Sequence, residues 1–213
     1  KTCRERGLWM HIDGAYGGAA LVAPSVSRAF AGVEFADSFV VDPHKWLFAP
    51  YDCCALIYRE PEYGAAAHSQ FASYLESVDR SEWNPADFAI HLTRRARGLP
   101  FWFSLATHGT RRYRDAVETV LATTRAVVAE VRSRPYLELI MEPDLSVVLF
   151  ERVGWSAADY QEWSVDMARK GTVLCVPTRW KGRPVLRFCF VNPDTEVDAV
   201  AAVLDGLADQ TGG

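Results

Sequence analysis

The chain lacks most of the signatures that would assign it at a glance. It has no basic excess: 23 Lys and Arg face 27 Asp and Glu, for a formal net charge of -4. That removes the electrostatic footprint a nucleic-acid partner needs. Its five cysteines are an odd number, and no two are spaced as CxxC. A disulfide framework and a zinc ribbon are therefore not expected. Cys53 and Cys54 are adjacent and, on a strand, would point to opposite faces. They read as core thiols of a reducing compartment, and the cytoplasm is the expected location. His11 and Asp13 could be two metal ligands, but no third or fourth stands at a suitable spacing, and His68, His91 and His108 are scattered. No metal is expected. No run is apolar and long enough to span a bilayer, no signal peptide is visible, and repeats and low-complexity tracts are absent.

What the chain does have is apolar mass. Hydrophobic residues make up 49% of 213, with 7 Trp and 11 Phe, enough for one large core or two small ones. Leu8-Trp9-Met10-His11-Ile12 reads as a buried strand that ends in Asp13-Gly14-Ala15-Tyr16-Gly17-Gly18. An acid at the carboxyl end of a strand, followed by glycines, is a ligand-site pattern of open α/β sheets. A second apolar run, Ser38–Val41, leads into Asp42-Pro43-His44-Lys45-Trp46, and a third, Cys54–Tyr58, follows. A lysine held between buried strands loses hydration, so its pKa falls and its amine becomes a nucleophile for a carbonyl. Most lysines instead snorkel to solvent. If the strands ending at Asp13 and Lys45 are parallel neighbours, both side chains enter one crevice. Pyridoxal phosphate needs that pair: a lysine for its aldehyde and a carboxylate for its pyridine nitrogen.

The stretches His11–Gly18 and Asp42–Trp46 resemble the group II pyridoxal-phosphate-dependent amino-acid decarboxylases, which include aromatic-L-amino-acid, tyrosine, histidine and glutamate decarboxylases. The likeness continues through Val33–Ser38, Leu92–Arg97 and Val185–Phe188 and covers nearly the whole chain in order. It implies an α/β fold, pyridoxal-phosphate fold type I, with part of a large, mainly parallel-sheet domain over 1–134 and a small α/β domain over 135–213. It also implies that only the C-terminal half of such a protein is here: the chain opens at Lys1 without Met, and the Asp-bearing strand of the family lies well inside its large domain. The rest would be needed for activity.

The resemblance also implies roles. Lys45 would hold the cofactor as a Schiff base, Asp13 would pair with the pyridine nitrogen, and Ala15 would lie against the ring face. His44 could touch the phosphate or the substrate carboxylate, or only satisfy backbone. Asp42 stands where some relatives have Asn near the phosphate; as an anion it should turn elsewhere or act through water. Residues 63–87 would form the mobile loop of the family, with Tyr74 returning a proton to the substrate. Arg187 reads as structural, because an ion pair to the carboxylate would oppose its loss. The expected reaction is decarboxylation of an L-amino acid, aromatic favoured, by a homodimer with interface sites. An aldehyde-forming relative, an aminotransferase and a non-catalytic fragment are the alternatives.

For the rest of the chain, periodicity predicts a long helix from Arg94 to Arg134 with a possible kink at Gly109. Strands are expected over 136–141 and 147–151. A helix over 157–170 precedes strands over 173–177 and 185–191, and a last helix covers 195–208.

Overall fold

The computed structural model describes residues 2–70 and 83–208; Tyr74 lies outside them. The fold divides into two compact units, 1–21 with 30–109, and 22–29 with 110–213. The sequence reading put its boundary near 134, at the end of the long helix; the contacts divide the chain at Gly109 instead.

The first unit opens with a short helix α1 (Thr2–Glu5) and strand β1 (His11–Asp13). After 3-10 turns come β2 (Ser38–Val41), the single helical turn α2 (Pro43–Trp46), β3 (Ala55–Tyr58) and α3 (Pro61–His68). β1 pairs with β2 in parallel, with Asp13 opposite Val40, and β3 pairs with β2 antiparallel. Asp37 locks the start of this pairing, since its carboxylate accepts from the Met10 N–H at 2.7 Å and its own N–H donates to the Met10 carbonyl. β1 is shorter than the expected 8–12 run, because Leu8 and Trp9 are about half exposed. α3 corrects the expectation of an irregular loop from residue 63: Pro61 at the first helical position presets the backbone and needs no hydrogen-bond partner.

Helix α4 (Gly98–Ser133) is interrupted at Gly109, where φ is 72° and ψ 157°. From Thr110 onward it belongs to the second unit. There Val117, Val120, Leu121, Val127, Val128 and Val131 are buried along one stripe, as the 3.6-residue period predicts. A four-stranded antiparallel sheet follows: β4 (Leu137–Leu139), β5 (Val147–Arg152), β6 (Thr178–Trp180) and β7 (Arg183–Cys189), in the order β4-β5-β7-β6. Val148 faces Phe188 and Phe150 faces Leu186, and all four are buried on one side of the sheet. Helix α5 (Ala157–Arg169) lies between β5 and β6 in the chain and begins with a reciprocal capping box between Ser156 and Asp159. Helix α6 (Val197–Asp205) closes the described chain.

Residues 173–177 are not a strand. The strand starts at Thr178 because the turn Lys181-Gly182, with both φ positive, makes a two-residue hairpin that fixes the register Trp180↔Arg183. Beyond it Leu174 and Val176 are exposed. Among the described residues no helix is long and apolar enough to cross a membrane, and no group of three or more His, Cys, Asp or Glu could hold a metal. All five cysteines are free thiols, two of them buried.

Candidate active site

The parallel pairing of β1 and β2 sends both strands out of the sheet at the same end. Asp13 is the last residue of β1, and Asp42, the residue after β2, starts the turn that carries Lys45. Three contacts hold the two loops together. The Asp42 N–H donates to the Ala15 carbonyl at 3.0 Å. The Tyr16 ring stacks on Trp46, with centroids 5.3 Å apart and planes within 13°. The third is a close approach of glycine to the Phe39 ring. A methyl at position 14 would meet that ring at 2.6 Å and the Val40 carbonyl at 2.8 Å; one at position 18 would meet the ring at 2.6 Å. Gly18 is thus required by packing.

Asp13 is exposed and accepts the Ala15 N–H at 3.0 Å, which fixes its carboxylate at the strand end. Ala15 is half-buried. Lys45 corrects the expectation of a desolvated, neutral amine. Its side chain is 43% exposed, and its Nζ lies 2.8 Å from an Asp42 oxygen. The hydrogen bond to Asp42 raises its pKa above the ordinary lysine value, against a smaller opposing effect of burial, with Asp13 and Cys54 adding to the rise through space. Asp42 is only 14% exposed. Burial pushes its carboxyl up, but hydrogen bonds from Lys45 and Cys54 outweigh that and hold it below the usual value. The Cys54 thiol is pushed up to about 11 by burial and by Asp42. The sequence missed the Asp42–Lys45 pair, although a signal was there: Asp42-Pro43 is a helix-start pattern, and i,i+3 on a helical turn brings the side chains together.

His44 Nδ1 lies 3.0 Å from the Cys53 nitrogen and 2.5 Å from its carbonyl oxygen, and the ring edge meets Tyr51. That nitrogen therefore serves backbone, and Nε2 is the one left for other partners. Asp52 is held by Arg95 at 2.7 Å and Arg97 at 3.1 Å, which gives the Leu92–Arg97 motif a structural use. Trp46 is fully buried, and its Nε1 has no hydrogen-bond partner among the described residues. In the second unit Arg187 lies on the exposed face of β7 and borders a cavity of about 600 Å³ with Leu174, Val176 and Glu196.

A family model described as the pyridoxal-dependent decarboxylase conserved domain matches residues 1–153. The chain belongs to this family. The aromatic-L-amino-acid decarboxylase of Bacillus atrophaeus is 26% identical over 95% of this chain and 44% of its own length. The 3,4-dihydroxyphenylacetaldehyde synthase of Aedes aegypti is 27% identical over 98% of this chain and 40% of its own. Among solved structures, mouse CSAD superposes with a TM-score of 0.84 at 26% identity, over 97% of this chain and 46% of that one. The chain thus spans less than half the length of the relatives it matches. The fold is the type I fold that the motifs implied.

The residues present fit the family's cofactor. A reachable amine and a carboxylate that influences it electrostatically leave adjacent parallel strands. The loop after Asp13 carries the small side chain of Ala15, half-buried, next to the start of the lysine turn.

Proposed function

We propose that the intact protein decarboxylates an L-amino acid, aromatic side chains favoured, with pyridoxal phosphate attached at Lys45. One observation carries this reading: Asp13 and Lys45 leave two parallel, hydrogen-bonded strands whose loops are joined through Asp42 and Ala15. When bound, the cofactor supplies an aldehyde for a lysine and a ring that takes up the electrons released with carbon dioxide. Lys45 would hold the cofactor through its aldehyde and, when displaced by substrate, would remain beside the site as an amine. Asp13 keeps a proton on the ring nitrogen, because a carboxylate raises the pKa of a cationic partner. Ala15 leaves the ring face clear, and His44 offers Nε2 toward the phosphate or substrate side. Tyr74 returns a proton to the substrate carbon. A homodimer with sites at its interface belongs to the same reading.

The test is borohydride reduction of the cofactor-loaded protein followed by peptide mapping. The label should fall on Lys45; a label on Lys170 or Lys181 overturns the assignment. Tyr74→Phe should keep the label and lower amine release by about 10²–10⁴-fold, the usual worth of a general acid.

A second reading has its own support in the aldehyde-forming Aedes relative, matched over 98% of this chain. Parallel assays for carbon dioxide, amine and aldehyde separate the two, since only the oxidative route yields aldehyde at the expense of amine.

A further inference from the structure

We propose that Asp42 is a positioning residue for Lys45: its carboxylate pins the ε-ammonium beside the end of β2 and delays its release as a free amine. The inference rests on the reading of Lys45 as the attachment point only for its consequence. The pinning itself is a property of the chain.

The geometry differs from that of an ordinary surface ion pair. Exposed pairs on flexible side chains contribute little, because both partners must be ordered in high dielectric. Here the carboxylate is 14% exposed and sits on the residue that opens the α2 turn. Its N–H is already committed to Ala15. Asp42 makes no side-chain cap for α2; instead its carboxylate takes Lys45 Nζ at 2.8 Å. The Asp42 backbone is thus held at both ends, its N–H by Ala15 and its carbonyl by the Lys45 N–H at 2.9 Å. The titratable groups facing the pair are Asp13 from β1, His44 on α2 itself, and Cys54 from the start of β3. Asp13 and Asp42 both favour the charged lysine, and the Cys54 thiol stays protonated through neutral pH.

Attachment to an aldehyde requires the uncharged amine. The nitrogen bonds to the aldehyde carbon, and the aldehyde oxygen leaves as water with the two amine hydrogens; the ammonium proton has first gone to solvent. Asp42 therefore sets the pH at which Lys45 can capture its cofactor.

The experiment is competitive trace acylation of the cofactor-free protein across pH 7–11, with each lysine read by mass spectrometry. Asp42→Asn is nearly isosteric and keeps a polar group for Cys54. Its Lys45 midpoint should fall by about half a pH unit, roughly a threefold gain in reactive amine at pH 8. Lys170, paired with Asp166 at 2.7 Å, is the internal reference for the labelling chemistry, and an unchanged circular-dichroism spectrum and urea midpoint report that the variant is folded. Cys54→Ala should move Lys45 in the same direction by less. An unchanged Lys45 midpoint in Asp42→Asn overturns the proposal. Capture of pyridoxal phosphate, followed at the same pH values by borohydride labelling, should quicken about threefold in the variant. If the midpoint moves but no cofactor reaches Lys45, the pinning stands and the functional reading fails.

Discussion

Gly14 and Gly18 press against one side chain, Phe39, on the neighbouring strand. Gly18→Ala places a methyl 2.6 Å from the aromatic ring, which must tilt or shift. Overpacking of this kind costs about 1–3 kcal/mol, read as a lower midpoint in urea. Gly14→Ala should cost more than Gly18→Ala, because it also meets the Val40 carbonyl, a backbone atom of β2. Phe39→Leu should rescue most of the Gly18→Ala loss and little of the Gly14→Ala loss; equal rescue of both would contradict this packing. The residue types at the site were legible in the sequence, since a strand-end acid and a lysine after a second strand declare a crevice. What Phe39 does was not, because an apolar residue on a buried strand looks the same whichever face it takes. The charge state of Lys45 was half-legible: the Asp42-Pro43 helix start at i,i+3 signalled the pair, but the flanking apolar runs suggested burial instead.

Elements are tied into the second unit by a few charged groups whose partners lie far away in the chain. Ser25 donates to Glu118 of α4 through its N–H at 2.9 Å and its hydroxyl at 2.6 Å. The hydroxyl and the N–H both hold the Glu118 carboxyl below its ordinary 4.5. A depressed carboxyl contributes stability that is full above the ordinary value and lost as pH falls through the folded one. Ser25→Ala should therefore melt below the parent at pH 7, and the gap should narrow as the pH falls below the ordinary carboxyl value; a gap independent of pH would mean the hydroxyl acts only by packing. At the far end of α4, Arg134 is 11% exposed and bonds Glu130, Asp205 and the Ala201 carbonyl. Arg134→Ala unties α4 from α6 and should cost about 2 kcal/mol in denaturant, since each hydrogen bond to a charged group is worth about 1.5–3 kcal/mol before its exposed partners rehydrate. Helices of this unit were readable because stripe and cap coincide, as at Ser156–Asp159. The strand expected over 173–177 was not there, because a hairpin turn of Lys181 and Gly182 decides the register locally and an apolar run alone does not. Val176 and Leu174 satisfy a strand pattern yet have no partner strand among the described residues.

For the molecule as a whole, Gly109 carries the change from one compact unit to the other at a backbone conformation essentially confined to glycine. Gly109→Ala should lower the midpoint of thermal unfolding by an amount equivalent to about 1–3 kcal/mol, although a side chain there meets open space; no shift would mean the helix simply rebuilds through this point. The parallel alignment of β1 and β2 has a kinetic consequence. A parallel pair cannot close through a tight turn, so Asp13 and Lys45 meet only after the whole crossover from Asp13 to Ser38 has been organised. Contacts so remote along the chain form slowly, since loop-closure entropy is lost before any pairing compensates it. During refolding Asp42, three residues away, can reach the lysine within a single helical turn, whereas Asp13 arrives only with the strand pairing. An aldehyde offered early would meet a lysine not yet set beside Asp13, in competition with the other lysines, and specific loading should lag behind the first appearance of helical signal.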